Sequence, residues 1–336
     1  MAQKFSKAAV ERAIQYQKQV NASVGELSSM ARNLTLLALE RKLNEVYHRD
    51  DTITTVQKIL LRKSKPNVLL TGVAGCGKTA VAEGLAIAIA RKCCEWCEQA
   101  EAIEKEYQQT LKEWRKIDGN RHEGCWTTPY PTKPADPPKP PLCECVVYDL
   151  PLNACISGTK YRGEFEEKLE KIMRACASNG NVILFIDEIH QMNKLGDGAE
   201  GGATMGQVLK PALARAEIRV IGATTTEESK FLKADKALAR RFTEVELKPL
   251  RDEAATMTAK GIMETYLKLH GVSAPNVSSA FLLDKINTFL PNTVFPDNFI
   301  NVVDETLASA VFDGLTEVED SHFNATLSRL AGVVIV

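Results

Sequence analysis

Two textures alternate along the chain. Short apolar runs that end in glycine or acids read as buried strands: NVLLTG from Asn67, CVVYDL from Cys145, NVILFIDE from Asn181 and IRVIGATTT from Ile218. Between them, AVAEGLAIAIA, EFEEKLEKIMRACA and GQVLKPALARAE space their apolar residues as helices do. Strand, glycine turn and helix in succession predict an α/β unit with a parallel sheet. Residues 1–45 are polar and helical in pattern, with a partial apolar face from Leu36, Leu37, Leu39 and Leu43. From about Pro249 strands disappear and helices, broken at Pro291 and Pro296, run to the end. That shift predicts a smaller helical domain after the α/β one.

Residues 92–145 interrupt the α/β texture. Trp96, Ala100, Ile103, Tyr107, Leu111 and Trp114 stand three or four apart and predict one helix with a single apolar stripe, ended by Asp118-Gly119. Seven of the fourteen prolines lie in 129–141, which predicts an extended, polyproline-like segment. Six of the nine cysteines fall in this insertion. Cys94-x-x-Cys97 and Cys143-x-Cys145 flank it, with His122 and Cys125 between. Four soft ligands, Cys94, Cys97, Cys143 and Cys145, make a candidate Zn²⁺ site that would staple its ends. Free thiols are the other reading.

Composition narrows the class. Lys plus Arg is 42 and Asp plus Glu 43, a net charge of -1, which argues against a nucleic-acid or membrane-surface protein. No apolar run reaches the ~18 residues of a membrane span. The start, MAQKFSKAAVERAIQYQK, has no apolar core of a signal peptide, and an odd cysteine count suits reduced thiols. The expected location is cytoplasmic.

Gly72-Val73-Ala74-Gly75-Cys76-Gly77-Lys78-Thr79 fits G-x-x-x-x-G-K-[ST] between a strand and a helix. Its glycines let backbone N–H groups converge on phosphate oxygens, and the helix that continues through Ala80 adds a positive dipole end. Lys78 would reach the β- and γ-phosphates of ATP, and Thr79 would hold Mg²⁺. Asp187-Glu188 ends the apolar run VILFI, where an acid lies beside such a loop. Asp187 would bind Mg²⁺ through its water shell, and Glu188 would polarise the attacking water.

With GTKYRGEFEEKLE, NVILFIDEIH, GQVLKPALARAEIRVIGATTTEE and KALARRF, these residues make the chain resemble the first ATPase module of Clp-type AAA+ unfoldases, from about Asn33 to the C-terminus and interrupted by the cysteine- and proline-rich insertion. The resemblance implies a P-loop AAA+ three-layer α/β sandwich followed by a small all-α lid. Its divisions would be a helical extension (1–45), an ATPase domain (46–248, carrying the 92–145 insertion) and a lid (249–336). It implies that Val46 and Tyr47 pack the adenine, that Arg49 and Asp50 complete that box, and that His48 replaces the usual glycine. One of Thr224 and Thr225 would sense the water or γ-phosphate. Arg240 and Arg241 would act as arginine fingers on the next subunit's site, which implies a ring. Tyr161 would grip polypeptide as a pore loop, with 196–204 as a second such loop. Asn298 stands where the family carries lysine, which removes a positive charge from the second sensor region.

The expected function is an ATP-hydrolysing ring motor, a homo-hexamer that unfolds or threads polypeptide. Two other readings stay open: a regulatory subunit co-assembling with a full-length Clp ATPase, and a nucleic-acid remodeller. No N-terminal adaptor domain, coiled middle domain or second module is expected, and a protease partnership is unsupported.

Overall fold

The computed structural model describes residues 5–117, 128–152, 162–193, 211–213 and 217–335, together with Leu209 and Arg215. The pore-loop tyrosine Tyr161, the glycine-rich run 196–204, His122, Cys125 and Asp118-Gly119 lie outside these described residues.

The N-terminal segment forms α1 (Lys7–Ser23), α2 (Glu26–Met30), the two-residue strand β1 (Arg32–Asn33) and α3 (Leu34–Leu39). Next come α4 (Asp50–Leu60), β2 (Asn67–Thr71), α5 (Lys78–Ile117), β3 (Val146–Asp149), α6 (Arg162–Asn179) and β4 (Val182–Ile186). A 3₁₀ turn (Ile189–Asn193), β5 (Arg219–Thr224), α7 (Ser229–Ala234), α8 (Lys236–Ala239) and β6 (Phe242–Glu246) complete the α/β part.

One six-stranded sheet runs β1-β3-β4-β5-β2-β6. All neighbours are parallel except β1, which pairs antiparallel with β3, Arg32 opposite Asp149. The expected sheet is therefore parallel but for one edge. A strand of two residues leaves no periodicity to read, and Arg-Asn carries no β preference. The central strands β2 and β4 are buried at every position. Helices cover both of their faces, and this explains why they read as unbroken apolar runs. Apolar residues of α3, α4 and α5 cover one face. Those of α2 and α6, with Leu232 and Leu238, cover the other. The three layers follow from parallel strands that need helices on both sides.

After β6 come four helices: α9 (Asp252–His270), α10 (Ser279–Phe289), α11 (Asp297–Phe312) and α12 (Asp320–Ala331). They enclose a core of their own around Phe299, Phe323, Leu307 and Ile286. Gly271 and Gly332 stop α9 and α12 in the left-handed conformation that glycine adopts without Cβ strain.

The insertion differs from its sequence reading in one respect. The phosphate-loop helix does not end before the cysteines; α5 is one continuous helix of 40 residues, about 60 Å long. Cysteines interrupt the hydropathy pattern there without breaking the helix, since no Gly or Pro intervenes between Leu85 and Ile117. The proline segment runs back along the outer half of α5 with no regular secondary structure. Trp114 donates from Nε1 to Thr128 O (3.2 Å), Tyr107 from its hydroxyl to Pro131 O (3.4 Å), and Trp96 from Nε1 to Pro137 O (2.8 Å). Lys133 bridges to Glu104 at 2.7 Å. From Trp96 to Trp114 the helix rises about 27 Å. From Thr128 to Pro137 a polyproline helix advances about 28 Å. The matching rises keep the two elements in step, so that the carbonyls of Thr128, Pro131 and Pro137 meet the aromatic donors.

At the root of this arm, Trp96 lies under the Lys139 ammonium (5.4 Å) and the Arg12 guanidinium (5.6 Å). It packs on a buried cluster of Cys93, Cys94, Cys97 and Cys143. Trp96→Ala removes a hydrogen bond and two cation–π contacts, together worth about 1.4 kcal/mol or more. The expected result is an approximately tenfold faster reaction of the cluster thiols with a disulfide reagent.

Candidate functional site

The parallel order places the C-terminal ends of β3, β4, β5 and β2 side by side, and the chemistry collects there. Thr71, the last residue of β2, lies opposite Thr224, the last of β5. The chain then turns through the glycine loop into α5. Gly75 and Gly77 take φ of 76° and 92°, conformations that a Cβ would strain. The loop's amides and the first turn of α5 form a cradle with positive potential. Lys78 Nζ donates to Gly72 O and Val73 O, both at 3.0 Å, so the ammonium is held at the mouth of the loop. Cys76 is fully buried and serves as a small core side chain. Thiol reagents should therefore reach it only on opening.

Asp187 follows β4 directly. Its Oδ2 accepts from Thr79 Oγ1 at 2.9 Å, and its Oδ1 accepts from the Glu188 amide at 2.8 Å. Glu188 has φ 49°, a left-handed backbone for a non-glycine residue, and the Asp187 bond holds it there. Gln191 donates to its carboxylate. Two hard oxygens, Thr79 Oγ1 and Asp187 Oδ2, thus meet at the cradle, which is the donor set Mg²⁺ takes.

A cleft of about 620 Å³ opens over these groups, lined by Gly75, Lys78, Thr79, Asp149, Asp187, Glu188, Thr224, Thr225 and Glu228. Pro296, Asp297 and Ile300 of the helical part close its far wall. Its size lies in the range of ligand pockets. A second, more apolar cavity adjoins it around Gly77 and Ala80, lined by Val46, Tyr47, Ile262 and Tyr266. Tyr47 lies against Gly261, where a Cβ would come within 2.5 Å of its ring. Its hydroxyl lies 3.3 Å from Gly261 O and from Thr265 Oγ1. A flat apolar slot beside a phosphate cradle suits a nucleobase. His48, at φ 52°, lines neither cavity.

Arg49 is buried and structural. It donates to Cys76 O at 2.7 Å and to Lys248 O at 3.0 Å, tying the base slot, the phosphate loop and the exit from β6 together. Burial pulls its pKa below the usual arginine range. Asp149, at the end of β3, is a second acid in the cleft. Its carboxyl is pushed up by burial against the opposing pull of Arg32, 3.6 Å away, with Asp187 adding to the rise. Glu83 is raised the same way, chiefly by burial.

Arg240 and Arg241 fall between α8 and β6 and line neither cavity of their own chain. Asn298 points into the helical core instead of the cleft. Its Nδ2 donates to Thr293 Oγ1 at 3.1 Å, and it is Asp297 that faces the phosphate loop, against Gly75.

The four cysteines chosen for zinc do not converge. Cys94, Cys97 and Cys143 join Cys93 in one cluster, whereas Cys145 sits in the sheet core, 3.9 Å from Arg219 Nη1. The turn at 141–144 separates Cys143 from Cys145 and sends their side chains to different cores. Burial pushes the Cys94 thiol up to about 12 and Cys145 to about 11, whereas the bonds from Cys93 draw Cys97 and Cys143 down, so the four do not share one thiolate environment. Among the described residues no group of three or more potential ligands is arranged to hold a metal.

Asp149, Glu228, His190 and Asp297 were not legible as site residues. Asp149 ends its strand in an acid as Asp187 does, and that repeated pattern is the one signal that could have found it.

A phosphate loop, a paired acid and a base slot, ordered on a parallel sheet with a helical wall, define a P-loop nucleotide-binding ATPase. The model of the ATPase family associated with various cellular activities (AAA) matches residues 68–250, and the chain belongs to this family. Within it, the chain is similar to the Clp ATPases. It is 35% identical over 280 residues to the ATP-dependent Clp protease ATP-binding subunit ClpC of Staphylococcus aureus (strain USA300), covering 83% of this chain and 29% of that protein. To the chaperone protein ClpB of Oceanobacillus iheyensis it is 34% identical over 289 residues, 86% of this chain and 30% of that one. Among solved structures, Saccharomyces cerevisiae Hsp104 in complex with casein, in an extended conformation, superposes with a TM-score of 0.68 at 27% identity, covering 91% of this chain and 45% of that one. Hsp104 with ADP gives 0.67 at 27% identity, covering 92% and 46%. The chain thus spans less than a third of the length of these curated relatives. Among the described residues, no helix is long and apolar enough to cross a membrane.

Proposed function

We propose that this chain is an ATP-driven remodeller of polypeptides that works as a ring, most simply a homo-hexamer. The observation that carries the reading is the convergence of Lys78, Thr79 and Asp187 on one cradle, with Glu188 beside it. In this reading the glycine loop and Lys78 hold the triphosphate, and Val46 and Tyr47 hold the base. Mg²⁺, held by Thr79 and Asp187, supplies charge neutralisation at the phosphates. Glu188 takes a proton from the attacking water. Catalysis is then positioning and charge stabilisation, with no covalent step on the protein.

The remodelling part rests on similarity to the Clp proteins and Hsp104, the latter solved with casein. Tyr161 is the proposed contact with the polypeptide. A cytoplasmic, reducing setting suits the seven buried free thiols among the described residues. The test is turnover of the purified chain with and without an unfolded protein such as casein. Stimulation by casein is expected, whereas stimulation by DNA alone would favour a nucleic-acid remodeller.

Arg240 and Arg241 are proposed to reach the neighbouring subunit's cleft, since their own lies elsewhere. Arg241→Ala should lower turnover about 10³-fold at unchanged nucleotide affinity. Mixing it with Glu188→Gln protomers should restore activity, because some interfaces then carry both an intact base and an intact arginine. No recovery in mixed assemblies would reject the trans arrangement.

A further inference from the structure

We propose that His190 is a positioning residue that fixes the direction of the Thr224 hydroxyl, so that Thr224 accepts a hydrogen bond from the attacking water and does not donate to the γ-phosphate. The proposal rests on the ATPase reading above and adds two residues to it, His190 and Glu228.

The 3₁₀ turn after Glu188 brings His190 under the end of β5. Ile189 anchors this turn at Gly222, where a Cβ would stand 2.4 Å from the Ile189 Cδ1. His190 is 7% exposed and Thr224 2%. Nδ1 lies within hydrogen-bond distance of Thr224 Oγ1, 3.1 Å, and Nε2 lies within ion-pair distance of Glu228 Oε1, 3.2 Å. The other Glu228 oxygen accepts from Thr225 Oγ1 at 2.7 Å, and Thr225 Oγ1 in turn accepts from the Glu228 amide at 3.2 Å. The four side chains form a linear relay: Thr224, His190, Glu228, Thr225.

Donor and acceptor bookkeeping then sets the hydrogens. A carboxylate only accepts, and its negative charge 3.2 Å from Nε2 favours the ring hydrogen on that nitrogen. In a neutral imidazole Nδ1 is then an acceptor, and the one hydrogen of Thr224 goes to it. Thr224 keeps lone pairs for the cleft and has no hydrogen left to give. Thr225 spends its hydrogen on Glu228 and one lone pair on an amide, whereas Thr224 keeps both lone pairs, so of the two threonines Thr224 has the larger acceptor capacity. A water that gives one hydrogen to Glu188 and the other to Thr224 has its lone pair direction defined by two acceptors.

Two arms test this on the full chain. First, imidazole-¹⁵N NMR reads the ring directly, with the resonance assigned by its loss in His190→Asn. The expected tautomer is Nε2–H with a bare Nδ1; a hydrogen on Nδ1 overturns the proposal whether or not the chain turns over ATP. Second, kinetics: His190→Leu should lower kcat about tenfold with the Kd of a nonhydrolysable ATP analogue unchanged. His190→Asn, whose Oδ1 can accept from Thr224, should retain most of the rate. In a Thr224→Val background the His190→Leu change should cost nothing further. Additive losses, or a loss expressed in Kd, overturn the relay. Should His190→Leu not fold, the tautomer and the His190→Asn rate decide alone. A wild-type chain without turnover would reject the ATPase reading, and the tautomer arm would still decide the relay.

Discussion

Lys78→Ala is expected to weaken nucleotide binding at least 100-fold. The ammonium is the one cation at the mouth of the glycine loop among the described lining residues of the cleft, and it is held there by two backbone carbonyls. Those carbonyls are neutral acceptors. Phosphate oxygens carry charge, and each charge-assisted bond is worth about 1.5–3 kcal/mol. The loop itself should survive the change, because Arg49 holds the Cys76 carbonyl and the two positive-φ glycines stay in place. Titration with a fluorescent ATP analogue measures the effect, with the melting temperature as the control for folding. Affinity within fivefold of wild type would mean that the triphosphate is not seated on this loop.

The second large effect is on turnover alone. Glu188→Gln should leave nucleotide affinity nearly unchanged and lower kcat about 10²–10⁴-fold. The substitution keeps shape and removes the ability to take a proton. The left-handed backbone at Glu188 is secured by Asp187, which the change does not touch. Asp187 and Thr79 also remain paired, so the phosphate end stays intact. Steady-state hydrolysis against analogue binding separates the two quantities. Wild-type hydrolysis by the variant would remove Glu188 from the role of base and point to another acid of the cleft, such as Asp149.

How far the site could be read from the chain depended on how local its geometry is. The glycine loop and the acids after VILFI were visible because each is set by a strand end and a few following residues. Asp149 needed the fact that β3 lies next to β4, and nothing in YDL states that order. His190 and Glu228 are far apart along the chain and meet only because the turn after β4 fits against Gly222. Arg49 enters the nucleotide box by resemblance alone; its hold on the Cys76 carbonyl appears only once α4 sets it beside the phosphate loop. The helical stripe in the insertion was legible from Trp96 to Trp114, but its fusion to the phosphate-loop helix was not, because buried cysteines mask the stripe between Ile89 and Trp96. The split of the four cysteines proposed for zinc has a related cause. Spacing between Cys143 and Cys145 says nothing of the turn that separates their side chains.

The uninterrupted α5 has a mechanical consequence. Its first turn is the floor of the phosphate cradle, and its last turn stands about 60 Å away, braced by the proline strut. Beyond Gly84 such a spar has no Gly or Pro at which to kink. Each degree of tilt at the cradle sweeps the distal tip through about 1 Å, so small adjustments at the phosphate end are broadcast, enlarged, to the outer rim of the molecule.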